Sequence, residues 1–473
     1  MNRCHALFFV AFLAASLPLS SSAQQVVATP AHESIAAASD PARQALDAWL
    51  EAFNSDDRAR LEAFRDRYQP KFDVDGMLDF RRQTGGFRLV RREPSAPGSA
   101  QALVQEAESE TVARVTATLG EGQPLALDIE AIERPADLQI PRLDQAGAIA
   151  ALVAKADAEA KHDAFSGVLL VARGDKVLLQ RAWGIADREA GTPVTLGTKF
   201  RLGSMNKMFT AVAALQLVQA GKLSLDGTVG QYLPGYPNAG IAKATIRQLL
   251  THAGGTGDIF GPEFDRQRLS LKTHDDYVRL YGTRGPTHPP GKGYEYSNYG
   301  FVLLGDIIEH VSGQSYYDFV DQHVFAPVGM HDTGSLPEDV VVPGRAHAYM
   351  RKGDRWVDAA GTLPYRGTAA GGGYSTAGDL LKFARALQSG TLLPRESFAE
   401  ATRKQTPWYG FGFMVGERQG VAGFGHGGGA DGMNGALEIF PTRDEIVIGL
   451  ANLDPPVIDR LVDYYTARMP LAK

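Results

Sequence analysis

The sequence predicts an α+β protein in two parts: a small α+β unit, then a larger unit in which an antiparallel sheet is flanked by helices. Two patterns carry this. Apolar positions alternate with period two over 87–130, directly after two helical patterns. In the C-terminal region, strand-like segments stand at both ends with mostly helical and loop sequence between them, which one antiparallel sheet holding both ends satisfies best. The 473 residues allow about three domain equivalents. Hydrophobic residues at 44% and charged residues at 22% exclude a disordered, collagenous or polytopic membrane protein. The net charge of −6 carries no basic footprint, so nucleic acid is not an expected partner.

Residues 1–23 read as an export signal, with Arg3, an apolar run over 6–19, and Ser21-Ser22-Ala23 before the cleavage point. Cleavage removes Cys4, the only cysteine, and with it any disulfide, thiol nucleophile or thiolate metal site. An exported protein, periplasmic or secreted, with no membrane-spanning segment in the mature chain is the expectation. Residues 24–40 are Ala, Ser and Gln rich and read as a tether.

The small unit spans 41–134. Leu46, Trp49, Leu50 and Phe53 mark one amphipathic helix, and Leu61, Phe64 and Tyr68 a second. Strands follow at 87–90, around Val104, at 113–119 and at 125–130, with Gly120-Glu121-Gly122 as a turn. A linker at 135–143, carrying Pro135 and Pro141, leads into the larger unit, 144–473. There we expect a helix over 144–160, a hairpin of 166–172 with 177–183, strands near 409–415, 436–440 and 445–451, and a helix over 457–469. Glycine is concentrated late in the chain, with 11 of the 52 between Gly410 and Gly435.

Three short motifs could carry chemistry. Ser204-Met205-Asn206-Lys207 opens a helical pattern that stops at Gly221. Ser at i and Lys at i+3 share a helix face, so the amine can take the hydroxyl proton if burial lowers its pKa. The plainer alternative is an N-cap serine with a solvated lysine. Tyr296-Ser297-Asn298 precedes an apolar helix, and its phenol would need a neighbouring cation such as Lys207 to act as a base. His426-Gly427-Gly428-Gly429 lies between strand-like segments, where glycines admit a close backbone N–H and His426 could orient substrate or help move a proton; a hairpin bend with a structural histidine is the alternative. Two look-alikes read as structure: Tyr236-Pro237-Asn238 as a turn, and His252-Ala253-Gly254-Gly255 as a helix stop with a hydrogen-bonded histidine. Neither H-E-x-x-H nor G-x-S-x-G occurs, so no metal and no cofactor is called for.

In this order, the three motifs resemble those of the serine hydrolases of the class C β-lactamase and penicillin-binding-protein-like superfamily, which includes D-peptidases and family VIII carboxylesterases. Leu249-Leu250-Thr251-His252, Tyr299-Gly300, Pro327-Val328-Gly329-Met330 and Gly372-Gly373-Tyr374-Ser375-Thr376 extend the resemblance over about 145–460. It implies a β-lactamase/transpeptidase-like fold, with Ser204 as nucleophile, Lys207 and Tyr296 sharing the base work, and Asn298, His426, Gly427 and Gly428 positioning lysine or substrate. It also implies an oxyanion hole made by the backbone N–H groups of Ser204 and Gly429. The expected partner is a small ester or peptide, peptidoglycan-derived ones included. One departure bears on substrate: β-lactamases of this type carry Lys-Thr-Gly where this chain has His426-Gly427-Gly428. That favours short esters or D-amino-acid-containing peptides and amides over β-lactams. A β-lactamase, a D-Ala-D-Ala carboxypeptidase and an inactive binding or regulatory module are the alternatives. The small unit resembles the cone-shaped fold of nuclear transport factor 2-like domains.

Overall fold

The computed structural model describes residues 40–471 apart from 70, 121 and 354. The export signal, the tether up to residue 39 and Glu121 of the expected turn lie outside the described residues. The chain divides into two compact units, at 1–141 and 142–473.

In the first unit, helices α1 (Pro41–Asn54), α2 (Arg58–Tyr68) and α3 (Val74–Thr84) precede a four-stranded antiparallel meander, β1 (Phe87–Glu93), β2 (Ser99–Glu106), β3 (Val112–Thr118) and β4 (Ala126–Ile132). Each helix starts at an aspartate, Asp40, Asp57 or Asp73, whose carboxylate accepts from a backbone N–H of the first turn. The apolar stripe of α1 is buried, with Trp49 stacked on Phe53 at 5.0 Å between ring centroids and Phe53 on Phe87 at 5.1 Å. Helix α3 is an element the sequence pattern does not signal. Its turn chemistry does mark both ends, with Asp73 at the start and Gly85 in the left-handed region at the stop.

In the second unit, α4 (Gln145–Lys161) and the hairpin β5 (Gly167–Arg173) with β6 (Lys176–Trp183) come first. Helices α5 (Asn206–Gln219), α6 (Asn298–Ser312) and α7 (Ala377–Ser389) follow. The strands β7 (Met414–Arg418), β8 (Val421–Ala430), β9 (Met433–Phe440) and β10 (Glu445–Ala451) precede a last helix, α8 (Val457–Arg468). One six-stranded antiparallel sheet, ordered β7-β8-β9-β10-β5-β6, joins both ends of the unit. It is covered on both faces. On β5, Val168, Leu170 and Ala172 pack toward the core that includes α5, α6 and α7, while Leu169 and Val171 pack toward α4 and α8. That is why β5 reads as a continuous apolar run. Among the described residues no helix is long and apolar enough to cross a membrane.

Two expectations are corrected. The strand placed near 409–415 begins only at Met414. Tyr409, Phe411 and Phe413 are all buried, but so are Gly410 and Gly412 between them, where the chain bends, Gly412 with φ +75°. The glycine run at 427–429 is neither loop nor bend: it lies within the ten-residue strand β8. Gly425 and Gly428 are there because added Cβ atoms would stand 1.8 Å from the Leu437 carbonyl oxygen and 1.9 Å from that of Leu202.

Candidate active site

Ser204 sits in a single 3₁₀ turn, Gly203–Met205, that feeds directly into α5, so the nucleophile candidate precedes the α-helix proper by two residues. Gly203 adopts φ +54°, and a Cβ there would stand 2.9 Å from the Gly429 nitrogen. The turn carrying Ser204 and strand β8 thus meet backbone to backbone.

One turn on, Lys207 is fully buried. Its Nζ lies 3.1 Å from Ser204 Oγ, 2.7 Å from Asn298 Oδ1 and 2.5 Å from the Ala370 carbonyl oxygen. Burial lowers its pKa from 10.5 to about 7, with Asp258 pulling the other way. The solvated-lysine alternative therefore fails.

Tyr296 and Asn298 flank Ser297, the N-cap of α6, whose hydroxyl accepts from the Gly300 N–H at 2.9 Å. Burial pushes the Tyr296 phenol well above its ordinary value, and the nearby Ser204 side chain offsets only part of that. Lys207 Nζ stands 4.6 Å from the centre of the Tyr296 ring, over its face. Of the Asn298 amide, Oδ1 accepts from Lys207 while Nδ2 donates to Asp258 Oδ1 at 2.9 Å.

His426 is buried on β8. Its Nδ1 lies 2.5 Å from the Gly427 carbonyl oxygen, which can only accept, so Nδ1 carries the proton and Nε2 accepts from the Tyr409 hydroxyl at 2.9 Å. Burial and the nearby Lys207 lower its pKa to about 3, leaving a neutral ring. Gly428 and Gly429 run past the Ser204 turn. The two-residue turn closing β8 on β9 makes Ala430↔Met433 a hydrogen-bonded pair, so by alternation Gly429↔Asn434 is not one. The Gly429 N–H consequently points away from β9, toward the Ser204 side.

Both look-alikes are structural, in different ways. The Tyr236 hydroxyl pairs with that of Tyr299 at 2.8 Å inside the core. His252 accepts from the Ser297 N–H at 3.1 Å as a hydrogen-bonded histidine, but it also lies against Tyr296 and Tyr409, at 4.3 and 4.4 Å between centroids. It is a wall of the site that sequence reasoning missed. Asp258 and the Ala370 carbonyl were missed too: neither belongs to a motif, and only the tertiary fold brings them to Lys207.

A protein-family model described as "Beta-lactamase" matches residues 148–468. The chain belongs to the β-lactamase family. Within it, this chain is 31% identical to "Esterase EstB" of Burkholderia gladioli over 319 residues, 58% of this chain and 80% of that one. It is 35% identical to "Penicillin-binding protein 4*" of Bacillus subtilis (strain 168) over 178 residues, 37% of this chain but only 38% of that relative's length. Among solved structures, a D-amino acid amidase from Ochrobactrum anthropi SV3 superposes with a TM-score of 0.59 at 26% identity, covering 67% of this chain and 98% of that one. The expected β-lactamase/transpeptidase-like fold, and its place among serine hydrolases of the class C β-lactamase and penicillin-binding-protein-like superfamily, stand.

Proposed function

We propose that this β-lactamase-family protein hydrolyses short esters or D-amino-acid-containing amides and peptides through an acyl-enzyme on Ser204. One observation carries the reading. A neutral amine has two N–H donors and one lone pair; Asn298 Oδ1 and the Ala370 carbonyl oxygen take the two donors of Lys207, so the lone pair faces Ser204 Oγ. With a pKa near 7, that amine is available as a base at neutral pH.

In acylation, the Ser204 Oγ–H proton passes to Lys207 as Oγ bonds to the carbonyl carbon. The negative charge gathers on the carbonyl oxygen, facing the backbone N–H groups of Ser204 and Gly429. The leaving-group bond then breaks, and the departing oxygen or nitrogen takes a proton from the Lys207–Tyr296 pair. Tyr296, held protonated by burial, serves as a donor in this step. Water reverses the sequence: it gives a proton to the pair, attacks the acyl carbon, and Ser204 regains its proton as the acid leaves.

The substrate class follows from the third motif. A neutral, buried His426 supplies no charge to pair with a substrate carboxylate, which disfavours β-lactams and C-terminal D-Ala-D-Ala relative to neutral esters and amides. The printed names of an esterase and a D-amino acid amidase among its relatives agree with that class. The intact Ser204–Lys207–Tyr296–Asn298 constellation argues against an inactive binding module. Action in the periplasm or outside the cell is proposed from the N-terminal signal pattern. The test is a hydrolysis panel of p-nitrophenyl esters, D-amino acid amides and nitrocefin; turnover confined to nitrocefin, or none at all, contradicts the reading.

A further inference from the structure

Asn434, on β9, is almost fully buried, at 2% exposed, and lies outside every motif considered so far. Both ends of its amide are engaged. Nδ2 donates to the Gly428 carbonyl oxygen at 3.1 Å and to Asp459 Oδ2 at 3.2 Å, and Oδ1 accepts from the Ile458 N–H at 2.7 Å. The Gly428 carbonyl and the Gly429 N–H belong to one peptide unit, and in a trans peptide these two groups point in opposite directions.

We propose that Asn434 is a positioning residue for the oxyanion hole: by holding the Gly428 carbonyl it fixes the direction of the Gly429 N–H. The inference rests on the acyl-enzyme reading above. Three features support it. Gly428 and Gly429 have no side chains to restrain their peptide by packing, so its tilt must be set by hydrogen bonds and backbone contacts. The β8–β9 pairing leaves the Gly429 N–H directed away from β9; by the same alternation Gly428↔Gly435 is a hydrogen-bonded pair, and Asn434, reaching from β9, adds a second donor to the Gly428 carbonyl beside the Gly435 N–H. Donation into an amide carbonyl also polarises the unit, making its N–H a stronger donor where charge develops. Asn434 is itself anchored at the start of α8 by the Ile458 N–H, which donates to Oδ1 and so keeps Nδ2 turned toward Gly428 whether or not Asp459 is charged.

The experiment compares wild type, Asn434→Leu, Asn434→Asp and Asp459→Asn in the full chain. Read-outs are kcat and KM for p-nitrophenyl butyrate, the pH profile, and inhibition by phenylboronic acid, whose boron becomes tetrahedral and anionic on bonding Ser204 Oγ. Removing an oxyanion donor costs about 10²–10³ in kcat, so loosening one should cost about tenfold to a hundredfold. For Asn434→Leu we expect that loss in kcat with KM within about threefold, a comparable loss of boronate affinity, and an unchanged acid-limb midpoint. Asn434→Asp keeps an acceptor for Ile458 and can donate only while protonated, so its rate relative to wild type should fall as pH rises. Asp459→Asn, which leaves the bond to Gly428, should stay within about threefold of wild type. An active, boronate-sensitive wild type whose Asn434→Leu variant matches it in kcat and boronate affinity overturns this inference alone. So does an equal loss in Asp459→Asn. A wild type that neither hydrolyses esters nor binds the boronate overturns both readings together.

Discussion

The Asn298 amide bridges a base and an acid: its oxygen accepts from Lys207 Nζ at 2.7 Å while its nitrogen donates to Asp258 at 2.9 Å. The two bonds fix which way the amide points, because a flipped carboxamide would set oxygen against carboxylate. Asp258 thereby aims the acceptor at Lys207 and, as a nearby negative charge, partly restores the pKa that burial lowers.

The first prediction follows from that balance. In the proposed mechanism the working form of Lys207 is the neutral amine, so kcat/KM should rise with pH through a midpoint near 7. His252 and His426 are both held below their ordinary values by burial and are already neutral there, so they add no step near 7. Replacing Asp258 by Asn removes charge that favours the ammonium, and the midpoint should move to lower pH. A midpoint that moves upward or stays fixed contradicts the assigned coupling.

Lys207 and Tyr296 should behave as a unit. Lys207 Nζ stands 3.1 Å from Ser204 Oγ and 4.6 Å from the centre of the Tyr296 ring, and the Ser204 side chain bears on the phenol, so either single loss should disable the same proton path. Lys207→Ala and Tyr296→Phe should each remove most of kcat, and the double variant little more. Tyr236→Phe breaks only the buried contact with Tyr299. Its cost should be about 1 kcal/mol of stability with near-normal turnover. Multiplying losses in the double variant would separate the two roles.

Which parts of this were legible in the sequence depends on where the controlling force lies. The sheet holding both ends of the second unit was legible because β5 and β10 are apolar runs between clear turns. Ser204, Lys207, Tyr296 and Asn298 were legible as motifs because their spacing is local to one helix start each. Strand β8 was not. Its sequence, Val421 to Ala430, carries five glycines and little strand propensity, and what holds it extended is pairing with β7 on one side and β9 on the other, while the close approach of the Leu202 carbonyl leaves no room for a side chain at Gly428. His252 was read correctly as a hydrogen-bonded histidine, yet nothing near it in sequence says that its ring would lie against Tyr296. The same holds for Asp258, whose bond to Asn298 spans 40 residues, and for Asn434, whose anchor at Ile458 lies 24 residues on.

Substrate preference should respond to the third motif. A Cβ on Gly427 would meet its nearest atoms at 3.7 Å, an ordinary contact, so Gly427→Thr starts without a clash at Cβ; His426→Lys then adds an amine beside the site. A charge-assisted hydrogen bond of about 1.5–3 kcal/mol corresponds to roughly ten- to hundredfold in binding an anionic substrate. The double variant should gain nitrocefin turnover relative to p-nitrophenyl butyrate. The new cation also stands near Lys207, where the neighbouring positive charge should lower the midpoint of the pH profile. No relative gain for nitrocefin would mean that the missing cation does not set the preference.

The central claim is that Ser204 becomes acylated, and covalent mapping tests it most directly. The full-length protein is treated with a fluorophosphonate at pH 8, where the Lys207 amine is mostly neutral, and the adduct is located by peptide mass spectrometry. The account predicts one adduct, on Ser204, that is absent in Ser204→Ala and forms far more slowly in Lys207→Ala. An adduct on another residue, or ester turnover by Ser204→Ala equal to that of wild type, would contradict it.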